Sequence, residues 1–180
     1  MNKNKAVKTN EWESFKHLFS QQEVPGRTIL LAEGKIARTM FFIEKGCLRT
    51  WINSDGKEIT TQFFFEGDSV ASIESFRTSQ PSLYNIESIE PCILQTISHQ
   101  DFQNALENSP ELKKKLEERL FRRLFQSQQI FYSFLKNNPQ KRYEELIERH
   151  PHIVQRVPQH YIASYLGITS VSLSRIRNRR

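Results

Sequence analysis

Between residues 27 and 98 apolar and polar positions alternate over short stretches, each closed by Gly, Asp, Asn or Pro. RTILLAEG, RTMFFIEKG, CLRTWIN, ITTQFFFEGD, LYNIESIE and CILQTIS each read as a strand. Asp55-Gly56 between two of them is a hairpin signal, because both residues accept positive φ. So many short strands with regular turns predict a sandwich or rolled barrel. Ahead of them, Trp12, Phe15, Leu18 and Phe19 stand at helical spacing and predict a short amphipathic helix over residues 10 to 20.

After residue 98 the period changes. His99-Gln100-Asp101 opens a helix carrying Phe102 and Leu106, which stops near Ser109-Pro110. A long helix follows, with Leu112, Leu116, Leu120, Leu124, Phe131 and Leu135 on one apolar stripe that Phe121, Phe125 and Phe134 widen. The stripe runs for about seven turns at ~3.6 residues each. A helix of that length has one side for the β region and another for a twin helix in a second subunit. Asn137-Asn138-Pro139 breaks it, and a shorter helix built on Tyr143, Leu146 and Ile147 comes next. The segment IVQRV leads into the last motif.

That motif is PQHYIASYLGITSVSLSRIRNRR, from Pro158 to Arg180. Ala163 is small where one helix must pack closely on another. Gly167 follows four residues later, where a turn between helices needs positive φ. Ile162, Leu166, Ile168, Leu173 and Ile176 fill the positions that would bury, and Thr169 or Ser170 can cap the second helix. This is a helix-turn-helix pattern whose second helix is rich in arginine.

Charge sharpens the picture. The 180 residues carry a formal net charge of +6, a mild excess, but residues 171 to 180 hold four Arg and no acid. A polyanion is therefore expected at the last helix rather than over the whole surface. The hydrophobic fraction of 37%, with 13 Phe, is enough for a packed core. Cys47 and Cys92 sit in apolar strand-like contexts, so buried reduced thiols are expected. Two cysteines cannot supply a four-thiolate cluster, and no Cys/His spacing suggests a metal site. His17 and His99 are single histidines without a paired axial ligand, which argues against haem. The polar, lysine-rich start and the lack of an apolar run of ~20 residues predict a soluble, cytoplasmic protein with no membrane contact. No nucleophile–base pattern or phosphate loop points to an enzyme.

The order of β-roll, long helix, hinge and helix-turn-helix resembles the CRP/FNR family of bacterial transcription regulators. The marks in the roll are Glu33-Gly34, Phe42-Ile43 with Lys45-Gly46, Asp55-Gly56-Lys57-Glu58 and Gly67-Asp68. The stretch SFRTSQPSLYNIESIE is similar in style to Bacteroidetes-type members. The resemblance implies an α+β chain in three parts: a jelly-roll-like, cyclic-nucleotide-binding-like sensor over 1–109, a dimerisation helix over 110–136, and a winged-helix-like DNA-binding unit over 137–180. It also implies a homodimer, double-stranded DNA with an inverted-repeat operator, a small-molecule effector and RNA polymerase as partners.

In members that bind cyclic AMP, a Gly-Glu pair takes the ribose and an Arg-Ser pair about ten residues later takes the phosphate. Those positions fall here on Ala71-Ser72 and Ser82-Leu83, so the phosphate-neutralising arginine is missing. Arg77 lies about five residues early, as either a relocated ligand or a solvated loop residue. A buried phosphate without a cation costs several kcal/mol, so cyclic AMP is not expected to bind. Ser72, Arg77, Ser82, Tyr84, Asn85 and, across the long helix, Gln126 are the candidate lining for another effector, and no cofactor is expected. On the DNA side, Arg175 is expected at guanine, and Ser170 and Ser172 at base edges or phosphate. Arg177, Arg179 and Arg180, with Gln159, His160 and Tyr161 at the start of the first helix, are expected at phosphates. The chain ends close to the recognition helix, and a signalling module with weakened DNA binding is the alternative reading.

Overall fold

A computed structural model describes residues 12–178. Its β region is two four-stranded antiparallel sheets packed face to face. One has the order β1-β8-β3-β6, from β1 (Ser20–Val24), β3 (Thr39–Lys45), β6 (Ser69–Val70) and β8 (Cys92–Ser98). The other has the order β2-β7-β4-β5, from β2 (Ile29–Leu31), β4 (Leu48–Ser54), β5 (Lys57–Phe64) and β7 (Asn85–Ser88). The predicted strands are present, and so is the tight Asp55-Gly56 hairpin. Both residues have positive φ, and Asn53 Oδ1 accepts from the Gly56 N–H at 3.0 Å.

Strand β1 was not expected, because SQQEV carries no alternation to read: only Val24 of the five is buried. It is an edge strand, placed by its backbone pairing with β8. The helix expected over residues 10 to 20 is a 3-10 helix, Trp12–Leu18, followed by Phe19. Leu18 and Phe19 pack against the core of the roll, with Phe19 edge-on to Phe42 at 5.3 Å. Met40, Ile43, Leu48, Val70, Ile86, Leu94 and Ile97 fill the space between the sheets.

Helix α1 (Ile73–Thr78) interrupts the roll. Helix α2 (His99–Asn108) and helix α3 (Pro110–Lys136) then begin at serine caps, Ser98 and Ser109, each accepting a backbone N–H three residues on. Pro110 is tolerated because the first turn of a helix needs no N–H from it. Helices α4 (Pro139–Arg149), α5 (Pro151–Arg156), α6 (Gln159–Tyr165) and α7 (Ser170–Asn178) complete the chain. Helix α5, six residues long, takes in the IVQR of the segment that leads into the last motif.

The helical end does not stand apart from the roll. A second core joins Cys47 and Phe63 of the β region to Tyr143, Leu146, Ile153, Val157, Tyr161, Ile162, Leu166 and Leu173. Cys47 and Cys92 are free and buried, and burial raises both thiols above the ordinary range. Gly46 is required beside them. Its φ is +110°, and a Cβ there would overlap Cys92 Sγ and Cα. Polar seams flank this core. Ser164 Oγ donates to the Glu58 carbonyl at 2.6 Å and accepts from the Thr60 N–H at 2.8 Å, seating α6 on β5. Arg156 of α5 bridges Glu66 at 2.6 Å and Glu90 at 2.5 Å. The Arg156 hydrogen bond holds the Glu66 carboxyl down to about 2.

Candidate nucleic-acid interface and effector pocket

Helix α7 is built as a presented element. Gly167 has φ +67° and makes the turn from α6, and a Cβ on it would press on the Phe134 ring at 3.3 Å. Thr169 is the cap: its Oγ1 accepts from the Ser172 N–H at 3.1 Å. Leu173 is 1% exposed and anchors the inner face, with Ile168 and Ile176 partly buried beside it. Ala163 of α6 is likewise 1% exposed, as a close helix crossing requires.

The outer face carries Ser170, Val171, Ser174, Arg175 and Asn178, all exposed. Val171 is 61% exposed, a large apolar side chain left in water at the head of the helix. Arg177 is exposed nearer the edge, and Gln159 and His160 are exposed at the start of α6. Ser172 is half-buried and shares a 3.0 Å hydrogen bond with Thr169, so it serves the cap. Arg179 and Arg180 lie outside the described residues. Ser174 and Asn178 were missed in the sequence. Ser174 stands three residues from Val171, and Asn178 three from Arg175 and seven from Val171, which places them on the same face.

Tyr161 does not face outward. It is 7% exposed, with the Arg49 guanidinium 4.0 Å from its ring centroid. Arg49 is itself 1% exposed. It donates to Glu87 from Nε at 2.9 Å, to Thr60 Oγ1 from Nη1 at 3.2 Å, and pairs with Glu58 as well. A phosphate contact through Tyr161 is therefore replaced by a packing role. The aromatic was read as exposed because the partner that buries it stands far back in the chain.

The expected effector lining divides into three places. Ser72 and Ser82 are each 2% exposed, and their hydroxyls are hydrogen-bonded at 2.9 Å. Ser82 Oγ also lies 2.7 Å from the Tyr84 carbonyl, and the Tyr84 hydroxyl donates to the Ala71 carbonyl at 3.1 Å. Asn85 Oδ1 accepts from the Glu33 N–H at 2.9 Å, and its Nδ2 donates to the Trp51 carbonyl at 3.3 Å. These four residues satisfy one another and the roll backbone, which suits a closed polar core. None of the four carries a positive charge, and a phosphate placed among them would displace these bonds. Arg77 is exposed in the last turn of α1, on a helix rather than in a loop. Gln126 lies elsewhere, on the wall of a cavity between roll and helical end that includes none of Ser72, Ser82, Tyr84 or Asn85.

The stripe on α3 also divides. Leu112 is 2% exposed and Leu116 packs on the core of the roll, so these two are spent within the chain. Leu120, Leu124, Phe131 and Leu135 are 38%, 50%, 60% and 68% exposed. The reason is helical drift: each step of four residues advances ~40° around a helix of ~3.6 residues per turn. A stripe that starts on the roll thus turns away from it. Phe121 and Phe125, exposed and stacked at 6.3 Å, extend the outer part. On the inner side of α3, Arg123 donates to the Ser69 carbonyl at 3.0 Å and sits 4.4 Å from the Phe64 ring centroid.

Among the described residues no group of three or more His, Cys, Asp or Glu is placed to hold a metal ion, and no helix is long and apolar enough to cross a membrane.

Residues 21–109 match the cyclic nucleotide-binding domain family. The cAMP-activated global transcriptional regulator CRP of Salmonella typhimurium is 25% identical over 101 residues, 56% of this chain and 48% of that protein. The chain thus spans about half the length of the curated relatives it matches. Among solved structures, the c-di-GMP-responsive global regulator CLP of Xanthomonas campestris has a TM-score of 0.76 at 18% identity, covering 95% of this chain and 90% of CLP. A CooA variant from Carboxydothermus hydrogenoformans has a TM-score of 0.74 at 19% identity, over 92% and 78% of the two chains. At these identities the two structures share the fold.

Proposed function

We propose that this chain is a regulator of the CRP/FNR type, a homodimeric, sequence-specific DNA-binding transcription regulator whose sensor does not take cyclic AMP. The observation that carries this is α7, a capped helix anchored by buried Leu173 and showing Val171, Ser174 and Arg175 to solvent. A guanidinium one turn into such a helix can take guanine O6 and N7 together, and Val171 can meet a thymine methyl group. Two copies of the chain, paired through the outer face of α3, present two such helices to one duplex. The operator is then an inverted repeat with half-sites about one turn apart.

A route from sensor to α7 is built from polar ties. Arg123 binds α3 to Ser69, in the roll. The break after α3 is pinned: Glu145 accepts from Ser133 at 2.6 Å and from Asn137 at 2.9 Å, and Arg142 donates to the Asn137 and Leu166 carbonyls. An effector that changed the packing of the roll on α3 would be felt at α7 through Arg142. Regulation of this kind needs two global states with different effector affinity.

Selection from a random duplex pool tests the reading, and an enriched inverted repeat is expected. Arg175→Ala should then weaken the selected duplex about 5- to 150-fold, equivalent to ~1–3 kcal/mol, with a smaller loss on random DNA. Equal losses on both would make Arg175 a phosphate contact. No enrichment at all would favour a signalling module that has lost DNA binding.

The sensor claim has its own measurement. Calorimetric titration with cyclic AMP and cyclic GMP should give no saturable heat, because Ser72 and Ser82 hold each other and bring no positive charge. Micromolar binding would mean that Arg123 or backbone donors stand in for the missing arginine.

A further inference from the structure

The cavity that takes Gln126 has a volume of about 680 Å³ and lies between the roll, α3 and the helical end. That is the size of a nucleotide-scale ligand site. Its walls carry six cationic side chains, Arg119, Arg122, Arg123, Lys136, Arg142 and Arg149, against two acids, Asp68 and Glu145. Both acids are already engaged, Asp68 by the Phe65 N–H at 2.9 Å and Glu145 by Ser133 and Asn137. Among the described residues, none of the five arginines forms an ion pair. Arg123 and Arg142 are bonded only to carbonyl oxygens and lie on the Phe64 and Phe134 rings at 4.4 and 4.5 Å. The Arg142 Nε is buried with no hydrogen-bond partner. Burial disfavours the charge on both guanidinium groups, Arg123 and Arg142. A chain that keeps uncompensated, desolvated guanidinium groups around an open space retains a cost that an anion would remove.

We propose that this cavity is a binding site for a multiply charged organic phosphate bearing an aromatic ring. Guanidinium forks on several sides match phosphate oxygens better than a single carboxylate. The exposed ring of Phe134 on the same walls gives a base or similar ring a stacking surface. On α3, Arg119, Gln126 and Ile130 point roughly opposite to Leu124 and Leu135, so these walls of the site face away from the outer stripe. It is separate from the closed set of Ser72, Ser82, Tyr84 and Asn85, and it does not depend on whether α7 reads DNA.

The test is titration of the full chain with adenosine triphosphate, inorganic triphosphate and cyclic AMP at physiological salt. One adenosine triphosphate per chain is expected, with inorganic triphosphate about tenfold weaker for want of the ring. The Arg122→Ala/Arg149→Ala variant, both side chains being exposed and unpaired, should keep its melting temperature and bind adenosine triphosphate at least tenfold more weakly. Gln126→Glu puts a negative charge on the wall and should weaken it as well, which keeps the test sound if the double variant unfolds. Arg175→Ala/Arg177→Ala should leave adenosine triphosphate binding unchanged. No binding, insensitivity to the cavity variants, or loss in the α7 variant would each overturn the site. Equal affinity for adenosine triphosphate and inorganic triphosphate would overturn the aromatic part.

Discussion

Arg49→Ala is expected to lower stability by about 3–5 kcal/mol, because it leaves a buried carboxylate without its counter-ion. Glu87 is only 7% exposed, directly across from Arg49 in the β4–β7 pairing, and among the described residues no other cation pairs with it. The same substitution empties the space over the Tyr161 ring, so α6 loses part of its seat on the roll. For a chain of this length the melting temperature should fall by roughly 6–20 °C, at about 2–4 °C per kcal/mol. Replacing both partners, as Arg49→Met/Glu87→Met, should recover most of the loss, since an apolar pair of similar volume avoids the desolvation that the charges suffer. Thermal and urea unfolding of the two variants decide the matter. A loss below about 1 kcal/mol for Arg49→Ala would mean that water reaches Glu87 and that the seam between α6 and β5 is looser than its hydrogen bonds indicate.

Leu124→Asp should convert a dimer into a monomer. Leu124 is 50% exposed, at the middle of a face shared with Leu120, Phe131 and Leu135. An apolar face of this extent on a charged helix marks an interaction surface. In a helix pair the carboxylate would be buried without a partner, which costs several kcal/mol. In an isolated chain it meets water, so monomer stability should barely change. Light scattering should therefore give twice the 21.3 kDa chain mass for the wild type and the single chain mass for the variant. Operator binding should fall by a factor of 100 or more, because linkage of two half-site contacts supplies that much effective concentration. An unchanged mass would remove α3 from the interface. A single-chain mass for the wild type would remove the dimer.

The two results address different links between sequence and function. Arg49 concerns how the helical end is held to the roll, and Leu124 whether two chains pair through α3. Nothing local in RTWIN reveals that its arginine will sit under a tyrosine 112 positions later. The leucines of α3, by contrast, announce an apolar face. What they do not announce is where along the helix that face passes from the roll to the outside, because a spacing of four drifts with each turn.

The sequence by itself determined the elements whose cause is local. Alternation and turn glycines gave the strands of the roll, Pro110 gave the start of the long helix, and Ala163, Gly167 and a cap at Thr169 or Ser170 gave the helix-turn-helix. Each of these depends on backbone angles or on neighbours within one turn, and such causes lie side by side in the chain. The tertiary structure alone decided the edge strand SQQEV, the burial of Tyr161, the closure of Ser72 on Ser82, and the cavity that gathers Arg123 with Arg142. Those outcomes depend on contacts between residues far apart in sequence and on how much water each pair excludes. Burial sets the strength of a charge, and burial is a property of the packed whole.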